Sequence, residues 1–125
     1  MIYGIGIDLC SIRRVQNIKD LNKFANKILT FDEIEYLDTL DQKNSVNYLA
    51  KQFAAKEALS KALGTGLTGD VKLNLIEIDR DQSGKPYIKM NDHMKTILSK
   101  IGVNSTFVSL ADDSDYAIAT VILER

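Results

Sequence analysis

The first nine residues are almost continuously apolar, Ile2-Tyr3-Gly4-Ile5-Gly6-Ile7, and run into a carboxylate at Asp8 before Leu9. A short run rich in β-branched side chains predicts a buried strand over residues 2–9. The spacing then changes. Ile12, Val15, Ile18, Leu21, Phe24, Ile28, Phe31, Ile34 and Leu37 recur every three or four positions, which predicts two or three helical pieces between residues 12 and 37. Ser11 stands where a helix N-cap is expected. Thr30, with Glu33 three residues on, forms a capping box that starts a new helix. Residues 41–44 read as a polar linker, and 45–63 as one long helix stopped by Gly64-Thr65-Gly66.

The second half has a period of two. Val71, Leu73, Leu75 and Ile78 alternate with polar residues over 71–79, and Asp81-Gln82-Ser83-Gly84-Lys85-Pro86 turns the chain into 87–90, which predicts a β-hairpin. Asn91 caps a helix to about Lys100 that Gly102 ends. Two further strands, 105–111 and 115–123, are joined by the acidic turn Asp112-Asp113-Ser114-Asp115. Helices followed by mostly antiparallel strands predict an α+β fold, a helical N-terminal half packed on the sheet, in one domain spanning 1–125.

Composition narrows the function classes. The 125 residues carry 16 Lys+Arg against 17 Asp+Glu, a formal net charge of −1, so no surface is basic enough overall to suggest nucleic acid or an anionic membrane as partner. Hydrophobic content of 45% and charged content of 26% are those of a globular domain. One Cys and one His provide neither an internal disulfide nor a four-ligand zinc site. The N-terminus has no basic stretch before its apolar run, and nowhere do 18 apolar residues run together, so a cytoplasmic protein is expected.

Two glycine patterns carry little chemistry. Gly4-Ile5-Gly6 lacks the third glycine of a dinucleotide fingerprint, since that position is Leu9, and Gly64-Thr65-Gly66 lacks the Gly-Lys-Ser/Thr ending of a P-loop. The informative stretch is the long helix. Leu49, Phe53, Glu57 and Lys61 repeat every four residues along one stripe, with Ala54, Ala55, Ala58 and Ala62 allowing close packing beside it. A Glu–Lys pair at that spacing can be an ordinary surface ion pair worth a few tenths of a kcal/mol. It can also be half of a site, if a second carboxylate meets Glu57. Asp8 is the candidate, because it ends a strand expected to be buried, where a lone carboxylate would be costly. Two converging carboxylates suit Mg²⁺, which takes one or two protein oxygens and fills its octahedron with water and substrate phosphates. Lys61, one turn from Glu57, would supply a cation for a bound diphosphate.

These residues resemble a known family. Gly4-Ile5-Gly6-Ile7-Asp8-Leu9 followed by Arg13-Arg14-Val15, and then Phe53-Ala54-Ala55-Lys56-Glu57-Ala58-Leu59-Ser60-Lys61-Ala62-Leu63-Gly64-Thr65-Gly66, are similar to the two signature blocks of the holo-[acyl-carrier-protein] synthases, a 4′-phosphopantetheinyl transferase family. The likeness continues through Gly84-Lys85-Pro86 and residues 108–112 and 116–122. It implies transfer of 4′-phosphopantetheine from coenzyme A to a serine of apo acyl carrier protein, releasing adenosine 3′,5′-bisphosphate in fatty acid biosynthesis. It also implies a homotrimer with sites between subunits. Position by position, it makes Asp8 and Glu57 the metal carboxylates and Lys61 the pyrophosphate contact. Gly64, Thr65 and Gly66 become the border of coenzyme A, and Arg14, with Arg13 beside it, the carrier dock. Such a reaction rests on alignment and charge neutralisation. The acceptor serine must also lose a proton, for which Glu35 is the carboxylate to test.

Arg13, Arg14, Lys19, Lys23 and Lys27 face a single acid, Asp20, between residues 11 and 28, which would steer an acidic carrier protein. Two positions depart from the family pattern. Phe107 stands where a His is usual and Gln52 where a basic residue is usual, the latter removing an expected contact to an anionic group of coenzyme A. His93 is expected to be exposed and Cys10 to be a packing residue. Two alternatives remain open from sequence: a non-catalytic module that binds coenzyme A or carrier protein, and an Mg²⁺-dependent diphosphate hydrolase.

Overall fold

The computed structural model describes residues 1–64 and 71–125. The chain opens with β1 (Ile2–Ser11) and continues through three short helices, α1 (Ile12–Gln16), α2 (Leu21–Ile28) and α3 (Phe31–Leu37), into the long α4 (Gln42–Leu63). A 3₁₀ turn (Leu73–Leu75) leads to the two-stranded pair β2 (Ile78–Arg80) and β3 (Pro86–Ile88). After these come α5 (Asp92–Ile101), β4 (Ser105–Asp112) and β5 (Tyr116–Glu124). The expected α+β class is the observed one. Among the described residues, no helix is long and apolar enough to cross a membrane.

The caps anticipated from sequence are present. Ser11 accepts from the Arg14 backbone N–H, Thr30 and Glu33 close a reciprocal capping box, and Asn91 accepts from Met94 N–H. Gly64 and Gly102 end their helices in the left-handed region, at φ +81° and +72°. Three boundaries are corrected. β1 runs to Ser11, two residues past the expected end, so Asp8 lies within the strand opposite Ala119 and not at its end. α4 begins at Gln42, three residues before the expected start, because Asp41 is its N-cap and accepts from Asn44 N–H at 2.8 Å. Residues 71–77 are not a strand either, since Leu73–Leu75 closes a 3₁₀ turn and only Ile78–Arg80 pairs with β3.

β1, β5 and β4 form an antiparallel sheet in that order, with α4 lying across β1 and β5. The period of two places Gly4, Gly6, Asp8 and Cys10 of β1 on the helix side, in register with Leu123, Val121, Ala119 and Ala117 of β5. The outer face overturns the expectation that β1 is buried, because Ile5, Ile7 and Leu9 are all more than half exposed. Across the sheet, Ile5 is level with Ile122 and Phe107, Ile7 with Thr120 and Ser109, and Leu9 with Ile118 and Ala111.

Candidate active site

The two glycines of β1 explain how the site is assembled. A Cβ on Gly4 would lie 2.0 Å from the carbonyl oxygen of Ala62, and one on Gly6 would lie 1.8 Å from that of Ala58. Only a bare backbone lets the strand lie directly on the helix here. Two residues beyond Gly6, Asp8 projects from the same face of β1, and Glu57 and Lys61 flank Ala58 and Ala62 on α4. Close packing therefore brings all three side chains together, as the helix-stripe reasoning anticipated, although Asp8 lies within β1 and not at its end.

Their geometry differs from a surface Glu–Lys pair. The Lys61 ammonium donates across to Asp8 Oδ1 at 3.2 Å and to the Ile7 carbonyl at 3.0 Å. Glu57 Oε1 is buried with no hydrogen-bond donor among the described residues. Burial, then the neighbouring Asp8 charge, push the Glu57 carboxyl above its usual range, with Lys61 partly opposing them. Two close acids, one with an orphaned buried oxygen, form a negative site that Lys61 neutralises only in part. That donor set fits a small hard cation. No group of three or more His, Cys, Asp or Glu side chains stands close enough to chelate a metal among the described residues.

The remaining expected residues are less tightly gathered. Arg13 and Arg14 are exposed on α1, directly after the strand that carries Asp8. Cys10 is buried, and burial and the charges of Asp8 and Glu57 raise its thiol pKa while Arg14 opposes them, consistent with a packing residue. Glu35 is exposed on α3 and is not among the charges that act on Glu57. Gly64 caps α4, whereas Thr65 and Gly66 lie outside the described residues. Two clefts, of about 790 and 760 Å³, are lined by none of Asp8, Glu57 and Lys61.

The expectation for His93 changes, and Gln52 and the Lys56–Glu33 pair acquire partners. Gln52, which stands where a basic residue is usual, turns inward. It is 2% exposed and donates to Glu33 Oε2 at 2.5 Å and to the Ile78 carbonyl at 3.0 Å. His93 is half-buried, and its Nε2 accepts from the Lys72 backbone N–H at 3.5 Å. The last partnership is that of Lys56 and Glu33, which the sequence marks only as a signature residue and a helix cap. They form a buried ion pair at 2.5 Å.

Comparison with known proteins decides the family. A model of the 4′-phosphopantetheinyl transferase superfamily matches residues 4–121. The holo-[acyl-carrier-protein] synthase of Bacillus subtilis is 40% identical over 126 residues, covering 100% of this chain and 98% of its own length. This chain belongs to the holo-[acyl-carrier-protein] synthase family. A further synthase, from Buchnera aphidicola, is 43% identical over 99% of this chain and 98% of its own. Among solved structures, the synthase of Neisseria meningitidis superposes with a TM-score of 0.92 at 39% identity, covering 100% of both chains. The synthase of Bacillus anthracis, solved in complex with CoA (3′,5′-ADP), gives 0.84 at 33% identity over 98% of this chain and 96% of that one. Within the synthase family, an acid on β1 facing a helical Glu and Lys is therefore a coherent place to look for the reaction.

Proposed function

We propose that the chain transfers 4′-phosphopantetheine from coenzyme A to a serine hydroxyl of apo acyl carrier protein, with Mg²⁺ as cofactor, releasing adenosine 3′,5′-bisphosphate. The observation that carries this reading is the convergence of Asp8 and Glu57, with an orphaned Glu57 oxygen and Lys61 one turn away. Asp8 and Glu57 would hold the Mg²⁺, which supplies Lewis acidity and charge neutralisation at a pyrophosphate. Lys61, half-exposed and held by Asp8, is placed to turn its ammonium to a phosphate oxygen. Gly64, Thr65 and Gly66 would border the bound coenzyme A. Arg13 and Arg14 would orient the acidic carrier so that its serine meets the phosphorus in line. Glu35 is kept as the candidate acceptor of the serine proton, and an unchanged pH–rate profile in Glu35→Gln removes it from that role.

The same reading includes a homotrimer with sites between subunits, acting in fatty acid biosynthesis in the cytoplasm. Two observations support the assembly: the apolar outer sheet face, and clefts that in a single chain leave the Asp8–Glu57 pair outside. No observation favours the hydrolase or the non-catalytic module. The test is to mix the protein with coenzyme A, Mg²⁺ and apo acyl carrier protein and to weigh the carrier by mass spectrometry. A phosphopantetheine adduct that needs Mg²⁺ is the expected result. Coenzyme A cleaved without carrier would instead point to the hydrolase, and binding without turnover to the module.

A further inference from the structure

One position before Glu57, the α4 side chain turns away from the metal carboxylates and into the protein. Lys56 is wholly buried, and its ammonium donates to acceptors from three separate stretches of chain. These are the Ile28 carbonyl at the end of α2 (2.5 Å), Glu33 Oε1 on α3 (2.5 Å) and the Leu73 carbonyl in the 3₁₀ turn (3.1 Å). An ammonium has three N–H donors, and all three are used. Glu33 is equally saturated. Its Oε1 accepts from Lys56 and the Thr30 backbone N–H, and its Oε2 from Gln52 Nε2 and the Ile78 backbone N–H. Thr30 extends the network by donating its hydroxyl to Glu77, which Lys89 also meets at 3.2 Å.

A buried ion pair is a poor source of net stability compared with apolar side chains of the same volume, so the value of this one is geometric. It ties α2, α3, the 3₁₀ turn and β2 to one residue of α4, the neighbour of Glu57. α1 is fixed separately, by its Ser11 cap and by the Ile12 N–H to Asp115 carbonyl bond at 2.9 Å. α2 meets α4 through the edge-on Phe24–Phe53 contact and through Lys56. It carries the exposed Lys23 and Lys27.

We propose that Lys56 is a positioning residue for carrier docking, the joint that holds α2 and its basic face in fixed register with the Asp8–Glu57 site. This rests on the transfer reading above for the identity of the partner. Misplacement of a docked group by about 1 Å can cost up to a hundredfold in rate, so a joint of this rigidity matters for a serine that must meet a phosphorus in line.

The test compares Lys56→Met with the double variant Lys56→Met/Glu33→Gln, which removes both charges and so relieves the unpaired carboxylate of the single change. Amide hydrogen exchange in Lys56→Met is expected to rise together at residues 25–29 and 73–76 while β1 and β5 stay protected. Titration of apo acyl carrier protein, which needs no turnover, is expected to show affinity weakened about tenfold in both variants. Coenzyme A affinity and the Mg²⁺ midpoint are expected to stay within about twofold of the parent. Unchanged carrier affinity in the folded double variant overturns the proposal, as does an equal loss of carrier and coenzyme A affinity, or exchange that rises throughout the molecule. A parent protein that binds carrier but yields no adduct would overturn the transfer reading alone.

Discussion

Glu57 bears two unfavourable conditions at once, a buried oxygen without a donor and a like-charged neighbour in Asp8. A bound cation would relieve both conditions, as the metal proposal requires. Replacing Glu57 with Gln removes the charge repulsion while preserving the shape, so the metal-free protein is expected to melt no lower than the parent. Mg²⁺ is expected to raise the melting temperature of the parent but not of Glu57→Gln, with transfer falling on the order of a hundredfold. An equal Mg²⁺-induced shift in both proteins would place the metal elsewhere. The grouping of Asp8, Glu57 and Lys61 was legible in the sequence because an acid that closes an apolar run and a helical four-residue spacing are strong local signals, although β1 runs on past Asp8. Lys56 and Gln52 were not. Both are good helix formers whose usual place is a solvated face, and nothing nearby in sequence reveals that Glu33, 19 and 23 residues away, receives them.

At the scale of elements, the β1–α4 contact is the feature on which the site depends. Gly6→Ala would drive a Cβ into the Ala58 carbonyl, which is backbone and cannot turn aside. Gly64→Ala meets nothing within 4 Å and costs only the strain of φ +81°. Chemical denaturation is therefore expected to show a loss of about 3 kcal/mol or more for Gly6→Ala against about 1 kcal/mol for Gly64→Ala. Equal losses would mean that the strand does not lie on the helix as described. The sequence identified both glycine pairs but read the first as a failed nucleotide fingerprint and part of a family block, never as a packing contact, because close approach between elements distant in the chain leaves no local mark. The start of α4 was hidden for a related reason: a polar linker and an Asp N-cap use the same residues. On α1, Arg14→Glu is expected to raise the KM for carrier about tenfold and to flatten its dependence on salt, leaving the KM for coenzyme A unchanged. A variant whose carrier KM keeps the parental value and salt slope would remove Arg14 from the dock.

For the whole molecule, the outer face of the sheet raises the question of what covers it. Ile5, Ile7, Leu9 and Phe107 are all at least half exposed, and Ile118 and Ile122 of the central strand add to a largely apolar surface that Thr120 and Ser109 interrupt level with Ile7. A patch of this kind on a single chain marks an interaction surface. The sequence predicted β1 as fully buried because burial by a partner and burial by the chain's own core leave the same apolar run. That expectation fails for the single chain, and the trimer proposal would bury this face against neighbouring copies. Because Ile5 points away from α4 and the core, Ile5→Lys should leave the monomer fold intact while placing a charge in the middle of the interface. Analytical ultracentrifugation is expected to show three times the 14.0 kDa chain mass for the parent and a single chain for Ile5→Lys. Circular dichroism should be unchanged, and transfer should be lost with the assembly. A parent that sediments as one chain yet transfers at full rate would show that Asp8, Glu57 and Lys61 need no second copy, and the apolar face would then belong to another partner.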